Sequence, residues 1–128
     1  MLLTSSLLLL LAAAPAVQSS PLITQAKKAV TAELVDPGSA QFRKLRTAKV
    51  TIDESQITVV CGEYNSKNKF GGYVGFATFA YEPTVLGGAV SYSAERKVEF
   101  FGDTYKKAEG GDYRVSARIL GVCLGIEQ

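Results

Sequence analysis

The chain has 128 residues, 47% apolar, 20% charged and 9% aromatic, the composition of one globular domain, which excludes a disordered chain, a collagen-like repeat and a second domain. Lys and Arg total 14 against 12 Asp and Glu, a net charge of +2 with no sustained block of one sign, so no nucleic-acid partner is expected. Histidine is absent, which removes the usual neutral-pH acid/base group and the commonest metal ligand. Histidine-dependent triads and imidazole-bound zinc are thereby excluded, and neither a metal nor a cofactor is expected.

Leu7 to Ala14 is an unbroken apolar run, followed by Ala14-Pro15-Ala16, whose small residues suit a signal-peptidase site. Residues 1–19 therefore read as a secretory signal peptide, cut after Ala16 or Ser19, although no Lys or Arg precedes the run. Even counted from Leu7 to Val17 the run falls short of the roughly 20 residues that span a bilayer. The expected product is soluble, periplasmic or extracellular, with no stable membrane insertion, and its single α+β domain occupies residues 20–128. In that oxidising setting the two cysteines, Cys61 and Cys123, pair most simply as one disulfide. On the chain-entropy model the loop they close is worth about 4 kcal/mol.

Ser20-Pro21 is a helix start, with Ser as the cap and Pro at the first helical position. Ile23, Ala26, Val30 and Leu34 then share a face, and Asp36-Pro37-Gly38 stops the helix. After Phe42 the period becomes two: Ala48, Val50 and Ile52 alternate with Thr47, Lys49 and Thr51. Asp53-Glu54-Ser55 turns the chain into a β-branched strand, Gln56 to Tyr64. Further strands are expected at Tyr73 to Tyr81, Ala89 to Ala94 and Lys97 to Phe101, which makes a small antiparallel sheet of four to five strands. The end of the chain is ambiguous. From Asp112, a possible N-cap, Val115, Ile119, Val122, Cys123 and Ile126 fit a helical stripe, whereas Tyr113, Val115, Ala117 and Ile119 also alternate as a strand would. The helix is preferred, with Gly121 and Gly125 counting against it.

Asp36-Pro37-Gly38-Ser39-Ala40-Gln41-Phe42-Arg43 resembles an Asp-Pro-x-Ser-Ala-x-Phe-Arg element. Cys61-Gly62-Glu63-Tyr64-Asn65-Ser66-Lys67-Asn68-Lys69-Phe70-Gly71-Gly72-Tyr73-Val74-Gly75-Phe76 resembles Cys-Gly-x-x-Asn-x-Lys-Asn-x-x-Gly-Gly-Tyr-x-Gly-Phe. Together they resemble a family of small exported bacterial proteins of uncharacterised function. The resemblance implies a bacterial envelope or extracellular setting and one helix packed on an antiparallel sheet, and it supplies no catalytic residue.

Three groups of residues carry chemistry. Asn65, Lys67, Asn68, Lys69 and Tyr73 lie in a segment too long for a tight hairpin, and long structured loops are frequently functional. Their amides and ammonium groups suit carbonyls, carboxylates or sugar hydroxyls; alternatively, the asparagines bond the loop's own backbone while Gly71 and Gly72 permit positive φ. The Gly71-Gly72-x-x-Gly75 spacing does not match a phosphate-binding loop. Arg43, Lys44, Arg46 and Lys49 could meet an anion, or could be charges that guard a strand edge. Asp53, Glu54, Glu63, Glu95, Glu99 and Asp103 are the acids from which a glycosidase-like pair would have to come. Ser93-Ala94-Glu95-Arg96 ends in Arg where a Ser-Lys dyad needs a base. The expectation is a non-catalytic binding or inhibitory module that presents Asn65 to Tyr73 to an envelope protein, peptide or glycan. The alternatives are a structural envelope protein without a specific ligand and a small carboxylate-dependent hydrolase.

Overall fold

The structure, a computed structural model, describes residues 20–102, 104 and 113–126. The expected signal segment 1–19 lies outside the described residues, as do Asp103 and Asp112. Helix α1 (Pro21–Thr31) begins on its proline, whose missing N–H would be unpaired there in any case. Ser20 holds the cap position without a side-chain capping bond; its carbonyl accepts from the Thr24 N–H at 3.1 Å. Ala26 and Val30 are fully buried, with Leu22, Ile23, Ala29 and Leu34 packed around them. The helix closes three residues before Leu34, where the Glu33 and Leu34 N–H groups bond the carbonyls of Val30 and Thr31. The stop is then itself structured, as a 3-10 turn over Pro37–Ser39.

Five strands follow as an antiparallel meander in the order β1-β2-β3-β4-β5: β1 (Gln41–Ile52), β2 (Ser55–Asn65), β3 (Ala77–Glu82), β4 (Gly88–Ser93) and β5 (Lys97–Gly102). β1 and β2 meet through a two-residue turn in which Asp53 (φ 47) and Glu54 (φ 68) are both left-handed, the twist that suits a tight hairpin. The register of β1 slips between Arg43 and Arg46, with Lys44 at φ 55. Phe42 and Leu45 are three residues apart, and the bulge returns both to the face that packs on α1. The third strand starts at Ala77, four residues later than its aromatic-rich sequence suggests, because Tyr73 belongs to the preceding loop, where it bridges Lys67.

The pleat divides the core in two. Val60, Tyr64, Ala77, Phe79, Tyr81, Ala89 and Phe101 face α1. Val50, Val59, Cys61, Ala80, Leu86 and Val90 face the C-terminal helix α2 (Tyr113–Cys123), which presents Ile119 and Leu120. The ambiguous segment is thus a helix, since adjacent Ile119, Leu120 and Gly121 are all buried while Ala117 is exposed. Gly125 proves to be a helix signal: at φ 76 it lets the Ile126 N–H reach the Gly121 carbonyl (2.9 Å) and its own N–H reach that of Val122 (3.1 Å). That is the paired bond pattern by which a left-handed glycine ends a helix. Cys61 in β2 is bonded to Cys123 at the end of α2, with their Cα atoms 5.2 Å apart. No helix of the described residues is long and apolar enough to cross a membrane.

Candidate functional site: a braced hairpin loop and the cleft beside it

The chain leaves β2 at Asn65, whose buried side-chain oxygen accepts the Gly75 N–H at 3.1 Å and so ties the two ends of the loop. Inside that tie, Lys67 bridges Tyr73, and the Asn68 N–H donates to the Gly72 carbonyl at 2.9 Å. The tip closes on Asn68: its side-chain oxygen accepts from the Phe70 N–H (2.9 Å) and the Gly72 N–H (3.2 Å), and its carbonyl accepts from Gly71 (3.0 Å). Gly71, at φ 83, supplies the reversal. The segment is therefore a miniature hairpin built by its own asparagines. Lys69 and Phe70 stand at its tip, with Phe70 86% exposed and the ammonium of Lys69 5.3 Å from its ring centre.

This hairpin is anchored by the other element of the resemblance. Ser39, in the 3-10 turn, accepts the Lys67 N–H on its hydroxyl (2.8 Å), and its carbonyl accepts the Tyr73 phenol (3.0 Å). Its own hydroxyl proton goes to the Asp36 carbonyl at 2.7 Å. Four residues on, the Arg43 guanidinium lies over the Phe76 ring at 3.6 Å. Two stretches well separated in sequence are thus one brace, and Tyr73 serves it with its hydroxyl while its ring stays 45% exposed.

Beside the brace opens a cleft of about 500 Å³, on the α1 face of the sheet where the chain has turned off the helix. Glu33, Leu34 and Val35 form one wall, and Ser66, Lys67, Asn68 and Val74 form the other. Tyr64, Arg96 and Glu99 also line it. The Tyr64 phenol donates to Glu99 Oε2 at 3.1 Å, and because it has only that proton, Ser91 Oγ at 3.5 Å is left to donate to the phenol oxygen. Burial pushes the Tyr64 phenol up, further from ionisation than a free phenol. Arg96 is held less completely. Its Nε is 3.9 Å from Glu99 Oε2, its guanidinium carbon is 5.3 Å from the Tyr64 ring centre, and its enclosed Nη2 makes no hydrogen bond to the described residues.

The basic stretch is dispersed. Arg43 and Lys44 both pair with Glu63, at 2.8 and 3.4 Å, and Lys49 bonds the Thr58 hydroxyl. Arg46, one register position from the bulge, lines a separate hollow with Lys44, Glu63 and the disulfide. Glu63 has its carboxyl held below the usual carboxylate range, chiefly by its hydrogen bond from Arg43. A depressed folded-state pKa means stability that is complete at neutral pH and lost as acid passes through the folded pKa. We therefore expect Glu63→Gln to lower the melting temperature at pH 7 and to flatten its fall between neutral and acid pH. A parallel shift at every pH would show that the pair contributes no pH-dependent stability.

Among the acids singled out by sequence, Glu99 lines the large cleft and Glu63 lines the hollow on the opposite face. Asp103 lies outside the described residues. Glu33 is a cleft residue that sequence reasoning passed over, whereas Tyr64 stands out in the sequence as an aromatic that could give flat contact beside the loop and Arg96 only as the wrong end of a Ser-Lys pattern. Glu33 reads as one more surface charge on a helix, yet its carboxylate accepts the Gly102 N–H at 2.7 Å and joins α1 to β5. No family model, curated protein or solved structure matches the chain.

Proposed function

We propose that the protein is a non-catalytic binding module, exported in soluble form to the periplasm or medium of a bacterium, which presents the residue 65–73 hairpin and its cleft to an envelope protein, peptide or glycan. The observation that carries this reading is a division of labour within the hairpin. Asn65, Asn68 and the Tyr73 hydroxyl are consumed in building it, whereas Lys69 and Phe70 are held outward at a fixed tip. A rigid tip that carries an exposed aromatic loses little entropy on binding, which favours affinity. The disulfide supports export, because such bonds persist in oxidising compartments. Catalysis is the weaker reading, since the two carboxylates that share the cleft are each engaged in holding the fold, Glu33 by the Gly102 N–H and Glu99 by the Tyr64 phenol.

The test places a photoreactive phenylalanine analogue at position 70 and, as a control, at the exposed position 98 on β5. Envelope components should crosslink from position 70 and not from 98. The Lys69→Ala/Phe70→Ala double variant should capture at least tenfold less of the same component at an unchanged melting temperature. Identical products from both positions, or undiminished capture by the double variant, would overturn the reading.

A further inference from the structure

We infer that the cleft is a receptor for an α-amido carboxylate with an apolar side chain, the chemistry of a peptide's C-terminal end, with Arg96 as the group that takes the carboxylate. The inference rests on the binding role proposed above and gives that role a ligand chemistry.

Arg96 is the starting point. A guanidinium has five N–H donors, and two-point pairing with a carboxylate or a phosphate is among its strongest interactions. Here the ring face of Tyr64 steers the group, and its one carboxylate neighbour among the described residues, Glu99, is 3.9 Å away, beyond hydrogen-bond distance. Glu99 Oε2 is already occupied by the Tyr64 phenol. An enclosed guanidinium nitrogen without an acceptor is costly, so Arg96 is a cation beside a cavity, held to Glu99 by a 3.9 Å ion pair and with Nη2 still unpaired among the described residues. Its backbone is fixed, because the Arg96 N–H donates to Ser93 Oγ at 3.0 Å in the β4–β5 turn.

The other lining groups select the anion. Lys67 adds a positive charge, while Glu33 and Glu99 add two negative ones. With Arg96 these four charges balance, so a monoanion adds one uncompensated negative charge to the cleft where a dianionic phosphate would add two. Glu99 can also accept a proton donor from the ligand, and a C-terminal residue offers its amide N–H next to its carboxylate. Leu34, Val35 and Val74 supply the apolar surface for the side chain between them, and Val35 is 72% exposed although nothing polar explains its position. A cleft of about 500 Å³ is in the range that takes a ligand of one or two residues.

The experiment titrates the isotopically labelled full chain, purified from the exported fraction, with acetyl-alanyl-leucine as its free acid and as its C-terminal carboxamide. The free acid should shift the resonances of Tyr64, Arg96 and Glu99 and bind at least tenfold more tightly than the carboxamide. Arg96→Ala should remove that preference, Arg96→Lys should keep only part of it, and Arg46→Ala, on the opposite face, should leave it unchanged. Acetyl-leucine alone separates the two sources of this chemistry: equal affinity points to a free acylated amino acid, and weaker affinity points to a peptide end. Equal binding of acid and carboxamide by the unaltered protein overturns the inference even if Arg96→Ala does not fold. Inorganic phosphate competing as well as the free acid also overturns it. Crosslinking from position 70 is independent of these titrations, so the wider binding reading can stand where the carboxylate assignment fails, and the reverse.

Discussion

Replacing Cys61 and Cys123 together by alanine is expected to lower the unfolding free energy by about 4 kcal/mol, because the bond closes a loop between residues 62 apart and its loss returns that entropy to the unfolded chain. For a domain of this size the melting temperature should fall by roughly 20 °C. The effect is also local. Helix α2 packs on the sheet through buried Ile119 and Leu120 with Val115 and Val122 beside them, a short apolar stripe, and Cys123 is its last residue. Without the bond, α2 keeps that stripe but loses the anchor at its end. Amide exchange should therefore accelerate first in α2 and next in β2 around Cys61, from which the chain runs four residues to Asn65 at the base of the hairpin. Reducing the unaltered protein should reproduce the variant. A loss under about 1 kcal/mol would mean that the apolar stripe of the helix suffices and that the unfolded chain is compact without the bond.

The parts of this fold that were legible in the sequence are those in which one face of an element is buried and the other is wet. Ala48, Val50 and Ile52 alternate cleanly because that face of β1 packs into the core under α2 while Thr47, Lys49 and Thr51 on the other face are exposed, and Ala26 and Val30 keep helical spacing because only one face of α1 is buried. Legibility fails where tertiary contacts decide. Tyr73 has the β-propensity of a strand residue, but its phenol is claimed by Ser39 from another part of the chain. Gly125 looks like a helix breaker, and only its place directly after Cys123 makes it a helix end. The disulfide could be read from compartment and cysteine count, since neither depends on geometry. The cleft could not: Glu33, Tyr64 and Arg96 come from a helix end, a strand and a hairpin turn, and no spacing in sequence brings them together. Asn65 and Asn68 stood out by composition, and the structure uses both to build the loop's own frame.

Phe79→Ala should be about as damaging as loss of the disulfide, near 4 kcal/mol, because truncating a buried phenylalanine removes both its transfer free energy and its packing. The side chain is fully buried in the middle strand of the sheet. Its ring meets Phe42 and Tyr64 edge-on, with centroids 6.0 and 6.2 Å away, and Tyr64 in turn meets Phe101 at 5.7 Å. Gly62 in the neighbouring strand makes the room: a methyl group there would sit 2.5 Å from Leu45 Cδ2 and 3.0 Å from Phe79 Cε1. Little can collapse into the space that an alanine would leave, since Gly62 has no side chain and Ser91, on the other side, is committed to Tyr64. The consequence reaches the cleft, because Tyr64 loses the ring that supports it while its phenol still orients Glu99. Phe79→Leu, which keeps most of the volume, should cost about 1.5 kcal/mol and retain the free-acid preference of the cleft. Phe79→Ala should weaken that preference even at temperatures where the variant remains folded. A variant that is destabilised yet keeps the full preference would show that Phe101, Ser91 and Glu99 hold Tyr64 without Phe79.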